Sequence, residues 1–325
     1  MGYEHYHLYI ASGTSDGGIY QYSLNETGQT RFIAKYPLGK TMYMATWQDR
    51  LYALLVTPQE KDGELTFFQV GEDGTLSGQG KKTPTKGKEA CHLTLDNGQA
   101  YCVNYDSGSV IKMPDKLVTH RGQSVHPARQ ETAHTHYVCI TPDRKYVCVV
   151  DLGLDKIMVY DKDLNPISET AAPRGYGPRH LVFAKDGKNA FCANELVSSV
   201  SAYSYRDGRF TLLDTYSALP ENFQGESYSA AIRLTEDGTR LFVSNRGHDS
   251  LCCFSISGDK LSVRSFTECG GCWPRDFILA GGLLICTNER SDNVTLFRAD
   301  GYNLTKLDTE LSVPAPLAAL AIGCR

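Results

Sequence analysis

The sequence has no run of about 18 apolar residues, so nothing in it reads as a membrane-spanning helix. Only five Met and two Trp occur, and no segment places apolar residues at a helical period over a useful length. Charge of one sign is not in excess. A net charge of −4 sets up no positive field to attract nucleic acid or anionic lipid, so neither partner is expected. The segment Met1-Gly2-Tyr3-Glu4-His5-Tyr6 lacks a basic stretch, an apolar stretch and a hydroxyl residue at position six. The expectation is therefore a cytoplasmic protein with neither a secretory leader nor a myristoyl group. Zinc-type spacing is also missing. Cys269-Gly-Gly-Cys272 is a CxxC with no second CxxC or spaced His pair to complete it, and it reads as a glycine turn before a strand. Most of the eleven Cys fall within strand-like runs, where they behave as small buried hydrophobes.

What the sequence does have is tyrosine, 19 residues of it, and a repeat. Seven short apolar runs end in a small, polar or aliphatic residue. They are Leu8–Ser12, Leu51–Leu55, Ala100–Asn104, Val147–Asp151, Phe191–Asn194, Leu241–Asn245 and Leu284–Asn288. Six places after each of the last five ends stands an apolar residue that opens another strand: Val110, Ile157, Val200, Leu251 and Val294. A further strand precedes each run, as in His136–Ile140, Arg179–Phe183, Ser229–Arg233 and Arg275–Leu279. It is joined to the run by turn sequences such as Asp186-Gly and Asp237-Gly. A weaker fourth strand follows, as in Phe210–Asp214. Seven four-strand units predict an all-β, seven-bladed β-propeller, with residues 1–325 as one domain. The chain starts on a second strand, while Pro316–Gly323 reads as a first strand. Residues 317–323 are thus expected to pair beside residues 8–12 and close the ring.

In such a ring the start of each first strand and the end of each second strand meet at one end of the channel. That end gathers Cys91, His92, His134, His136, Arg179, His180 and Arg275 from first strands. Second strands supply Asn104, Asp151, Asn194, Glu195, Asn245, Arg246, Asn288 and Glu289, with His248 in the loop beyond. Imidazole, guanidinium and carboxylate converge there, which makes it the candidate site. The recurring Asn or Asp at 104, 151, 194, 245 and 288 also fits a scaffold, since such side chains satisfy loop backbone donors. The stretches Tyr43–Trp47 and Ala315–Ala319 carry no comparable polar group and read as structural.

The segments His134-Thr-His-Tyr-Val-Cys-Ile-Thr-Pro-Asp143, Gly177-Pro-Arg-His-Leu-Val-Phe183, Asn194-Glu195 and Ser244-Asn-Arg-Gly-His-Asp-Ser250 resemble the bacterial seven-bladed lactonases. That family includes propeller-type 6-phosphogluconolactonases, and fungal carboxymuconate cyclases share its fold. The resemblance covers nearly the whole chain and implies a small-molecule lactone or phosphosugar substrate with no cofactor and no metal. It implies His136, Arg179, Glu195 and Arg246 as catalytic residues. Around them, His92, His134, Asp151, His180, Asn194, Asn245, His248, Arg275 and Glu289 are the expected substrate contacts. Lactone hydrolysis needs a base for water and a cation for the developing oxyanion. Glu195 or His136 could serve as the first, and Arg179 and Arg246 as the second. A cyclase-type lyase or isomerase, a calcium-dependent lactonase and a non-catalytic interaction scaffold are the competing expectations.

Overall fold

The computed structural model describes residues 5–324, so residues 1–4, on which part of the leader expectation rests, and Arg325 lie outside it. Strands account for the regular structure, and no helix occurs among the described residues. Seven antiparallel sheets follow one another around the ring. Blade I is formed by Pro316–Gly323, His5–Ser12, Gly18–Asn25 and Thr30–Pro37, from the channel outward. Blades II to VII begin on inner strands Thr41–Trp47, Ala90–Asp96, Thr135–Ile140, Pro178–Phe183, Tyr228–Leu234 and Pro274–Ala280. In blade II the outermost place is shared by two short strands, Leu76–Ser77 and Thr83–Lys88.

The sequence pattern sets this arrangement strand by strand. Second strands are buried on both faces, as in Val147–Asp151 and Leu283–Asn288. They read as continuous apolar runs because a blade of the ring is covered by neighbours on either side. Outer strands face water on one side and alternate, as in Pro166–Ala171. The core lies between blades. Phe191, Val200 and Ala202 of blade V pack with Ile232, Val243 and Phe254 of blade VI in one such layer.

The ring closes as the repeat predicts. Pro316–Gly323 pairs antiparallel with His5–Ser12, Tyr6 opposite Gly323 and Leu8 opposite Ala321. Leu8, Tyr9 and Ile10 are fully buried by this pairing and by the adjoining blades. Closure leaves the two ends of the chain without an open inner edge. Ending the chain at Ser312 removes the inner strand of blade I. The expected outcome is loss of the cooperative thermal transition, measured by circular dichroism. A melting curve like that of the full chain would contradict closure as a source of stability.

Candidate active site

Each inner strand holds one residue more than the strand it pairs with. Thr135 faces Asp151 and Tyr137 faces Val150, so His136 is surplus. By the same register shift Arg179 is surplus in blade V and Arg275 in blade VII. Leu317, Met42 and Cys91 are surplus in blades I to III. In blade VI, Ala230 and Ala231 share the place opposite Ser244. A β-bulge of this kind re-aims a side chain, and in blades I to V and VII it turns one residue into the channel. Leu317, Met42, Cys91, His136, Arg179 and Arg275 all line the same constriction. The lining is therefore apolar over blades I to III and polar over blades IV, V and VII, as the unremarkable segments around Tyr43 and Ala315 suggest.

Above the constriction lies a cavity of about 300 Å³ whose walls include Tyr105, Arg129, His136, Glu195, Arg246 and Arg275. Glu195 follows the second strand of blade V and is 2% exposed. Its backbone N–H donates to Gly177 O at 2.7 Å. Gly177 stands at φ 62°, and a Cβ there would meet Leu196 at 2.6 Å, so the turn ahead of Arg179 needs glycine. The Glu195 carboxylate meets three guanidiniums. Oε2 lies 3.0 Å from Arg179 Nε and 2.8 Å from Arg246 Nη2, and Oε1 accepts from Arg129 Nη2. Burial alone would raise the pKa of Glu195. Arg246, Arg179 and Arg129 override it and hold the carboxyl well below the usual carboxylate range. Arg246 is steadied by Trp273, whose ring lies 5.4 Å from its guanidinium.

The histidines are pushed the other way. His136, His180 and His92 are buried, and their rings approach one another, 5.4 Å between His136 and His180 and 5.6 Å between His180 and His92. Burial, and then the charge of Arg179, takes His136 well below its ordinary value. Burial and Arg179 act likewise on His180, and burial with Arg233 and Arg179 on His92. All three imidazoles are neutral at neutral pH. Arg179 Nη1 donates to His180 Nε2 at 3.0 Å, which leaves the proton of that ring on Nδ1. The Nδ1 of His136 is buried without a hydrogen-bond partner. Deeper still, Arg233 pairs with Asp276 at 2.8 Å.

The structure brings His136, Arg179, Glu195, Arg246 and Arg275 together and sends other candidates elsewhere. Glu289 stands beside the site and pairs with Arg275 at 3.1 Å. His180 lines the constriction, whereas His92 lies between the rings of Tyr43 and Tyr137. Asp151, Asn194 and Asn245 do not line the cavity. Asp151 accepts from the backbone of His134 and Leu154, and Asn194 donates to Ser199 and Ser201. Asn245 donates to Ala218 O and accepts from Ser229. These side chains close the blade ends, which is the scaffold role their recurrence suggests. His134 is stacked on Tyr105 and bonded to Glu131 at 3.2 Å, so it supports the cavity wall from behind. His248 bonds Ser250 at 2.6 Å and packs on Phe223, outside the cavity. Cys269 and Cys272 are free thiols flanking a glycine turn, as their spacing suggests. No group of three or more His, Cys, Asp or Glu side chains among the described residues is placed to hold a metal ion.

Arg129 was not among the sequence candidates. It comes from residues 120–134, the longest connection between blades. His120 and Gln130 anchor that connection. His120 bonds Asp151 at 2.6 Å and Gln130 donates to Leu152 O at 2.9 Å. The only signal was the gap it makes in the strand pattern. A larger hollow, about 720 Å³, opens at the other end of the strands beside the hairpin turns of blades VI and VII. It has no comparable convergence of buried charge.

The chain belongs to the seven-bladed β-propeller lactonase family: residues 7–321 match the family described as "Lactonase, 7-bladed beta-propeller". An uncharacterized Staphylococcus aureus protein is 33% identical over 313 residues, 88% of this chain and 90% of that one. The solved structure of a periplasmic gluconolactonase from Pseudomonas aeruginosa is similar, with a TM-score of 0.89 and 25% identity over 99% of this chain and 100% of that one. So is a Bacteroides fragilis protein provisionally described as a 6-phosphogluconolactonase, at TM-score 0.89 and 26% identity, with 98% of each chain covered.

Two outcomes follow from the site's electrostatics. Glu195→Gln leaves buried guanidiniums without their carboxylate and is expected to cost about 3–5 kcal/mol in urea unfolding. Arg129→Ala, whose side chain is 34% exposed, should cost about 1 kcal/mol or less. Equal losses would contradict the arrangement. The histidines bind protons more readily unfolded than folded, so the stability they contribute is present above about pH 6.5 and is lost as pH falls below it. Melting temperature should therefore drop between about pH 7 and pH 5, and less steeply in His92→Phe, which removes one titrating group. An unchanged slope in that variant would remove His92 from the account.

Proposed function

We propose that the protein is a metal-independent lactonase that hydrolyses a sugar lactone, 6-phosphogluconolactone being the substrate the family points to, in the cavity that His136 and Glu195 line. The observation that carries this reading is the opposed electrostatics of two neighbours. Glu195 is kept ionised by three guanidiniums, and His136 is kept neutral by burial and by Arg179. A carboxylate held by three cations is a weak base and stays ionised, whereas His136, although burial and Arg179 weaken its basicity, is unprotonated at neutral pH and so stands in the form that a general base for water requires.

In the proposed reaction His136 takes a proton from water as the water oxygen bonds to the lactone carbonyl carbon. The carbonyl electron pair moves onto its oxygen, where guanidiniums of the cavity stabilise the charge. Collapse of this intermediate breaks the bond to the ring oxygen, which takes the proton back from His136 and leaves as a hydroxyl. The product is the open hydroxy acid. Glu195 holds Arg179 and Arg246 in place and offsets their mutual repulsion throughout. A carboxylate surrounded by three cations is also a poor ligand for calcium, which disfavours the calcium-dependent alternative.

The test follows disappearance of 6-phosphogluconolactone with the wild-type protein and with His136→Gln, Arg179→Ala and Glu195→Ala, each with and without EDTA. The wild type should exceed spontaneous hydrolysis with or without chelator, and His136→Gln should lower kcat about 10²- to 10⁴-fold. A wild-type rate no faster than buffer would overturn the proposal. A rate abolished by EDTA would move the mechanism to a bound cation.

A further inference from the structure

The three guanidiniums on Glu195 are not equivalent. Arg179 and Arg246 have side chains 3% and 7% exposed, whereas that of Arg129 is 34% exposed. The first two are fixed on blade strands, Arg179 at a bulge and Arg246 at a strand end, with the backbone carbonyls of Tyr228 and Ser229 as further partners of Arg246. Arg129 instead projects from the connection 120–134, and its other partner is the Tyr105 hydroxyl at 3.3 Å. Neither Arg179 nor Arg246 can leave Glu195 without stranding a buried charge, which is costly. Arg129 can. If it turns away, Glu195 retains two cations, and Arg129 itself moves within a cavity of about 300 Å³ that it lines.

The other basic side chains at that cavity are paired as well. Lys61, 54% exposed, lies 3.1 Å from Asp106 and 3.8 Å from Glu89, and Arg275 is paired with Glu289. Of the guanidiniums at the cavity wall Arg129 is the most exposed, and it is the one that can exchange its protein carboxylate for an anion on a ligand at least cost. Its planar fork suits the paired oxygens of a phosphate or a carboxylate.

We infer that Arg129 is the specificity-determining residue of the site: it swings from Glu195 to an anionic substituent of the substrate, remote from the lactone carbonyl, and so selects charged over neutral lactones. This rests on the reading of the cavity as a lactonase site. The anchors of residues 120–134 at His120 and Gln130 keep the backbone in place, so the movement is that of the side chain. Among the described residues no other blade-to-blade connection presents a charged side chain to the Glu195 carboxylate.

The experiment compares kcat/KM for 6-phosphogluconolactone, for a lactone bearing a free carboxylate, and for neutral glucono-δ-lactone in the wild type, Arg129→Ala and Arg129→Lys. The ratio of charged to neutral substrate should fall about 10- to 100-fold in Arg129→Ala and be partly restored in Arg129→Lys. The two charged lactones decide whether phosphate or carboxylate is read. A ratio unchanged in Arg129→Ala, with all rates falling together, would overturn the inference and leave Arg129 as a support for Glu195. Thermal shifts with 6-phosphogluconate and gluconate separate this result from failure of the lactonase reading. If the wild type turns over no lactone yet is stabilised selectively by 6-phosphogluconate, and Arg129→Ala loses that selectivity, the inference stands and the reaction does not. Equal shifts by both acids in the wild type would overturn it.

Discussion

The surplus residue at the start of every inner strand is the constraint on which the channel depends. A regular antiparallel pair would alternate its side chains between the two faces of the blade and aim none of them along the axis. The register shift lets one residue leave that alternation, and all seven blades carry it near the start of the inner strand. Chemistry then becomes a matter of which residue stands at a position whose geometry is already given. Leu317, Met42 and Cys91 make one arc inert; His136, Arg179 and Arg275 arm the other. In blade VI the small Ala230 and Ala231 stand at the bulge, and the charge comes instead from Arg246 at the end of the second strand, 2.8 Å from Glu195.

Electrostatics follows from burial at those places. A guanidinium beside a buried carboxylate keeps it charged, and the same guanidinium beside a buried imidazole keeps it uncharged. Arg179 does both at once, to Glu195 and to His136 and His180. Two ionisable groups of one site are thereby held in opposite states, Glu195 charged and His136 uncharged.

Most of the fold was legible in the sequence because each second strand, buried on both faces, announces itself as an apolar run, and because the four-strand unit recurs seven times. Blade II was the least regular part. Its outer edge is divided between Leu76–Ser77 and Thr83–Lys88, and neither is long enough to carry a pattern. The site was legible only in part. His136, Arg179, Glu195 and Arg246 stand out because they break the repeat. Asp151, Asn194 and Asn245 belong to the repeat, and their side chains are occupied in closing blade ends. His134 and His248 share motif segments with site residues but turn to Tyr105 and Phe223. Arg129 could not be read, since it lies on a connection with no periodicity, and its partner Glu195 is 66 positions away.

Pairing of His5–Ser12 with Pro316–Gly323 ties together the most distant parts of the described chain. During synthesis the first strand of the chain emerges long before its inner partner exists. Its inner edge must wait, unpaired, while the other six blades are made. Contacts of such long range are slow to form. The residues lining the cavity fall between Met42 and Arg275, all ahead of the closing strand, so the cavity wall can be laid down while the ring is still an open crescent. The last strand then acts as a latch, so the edge of Leu8–Ile10 is the last inner edge of the ring to be covered.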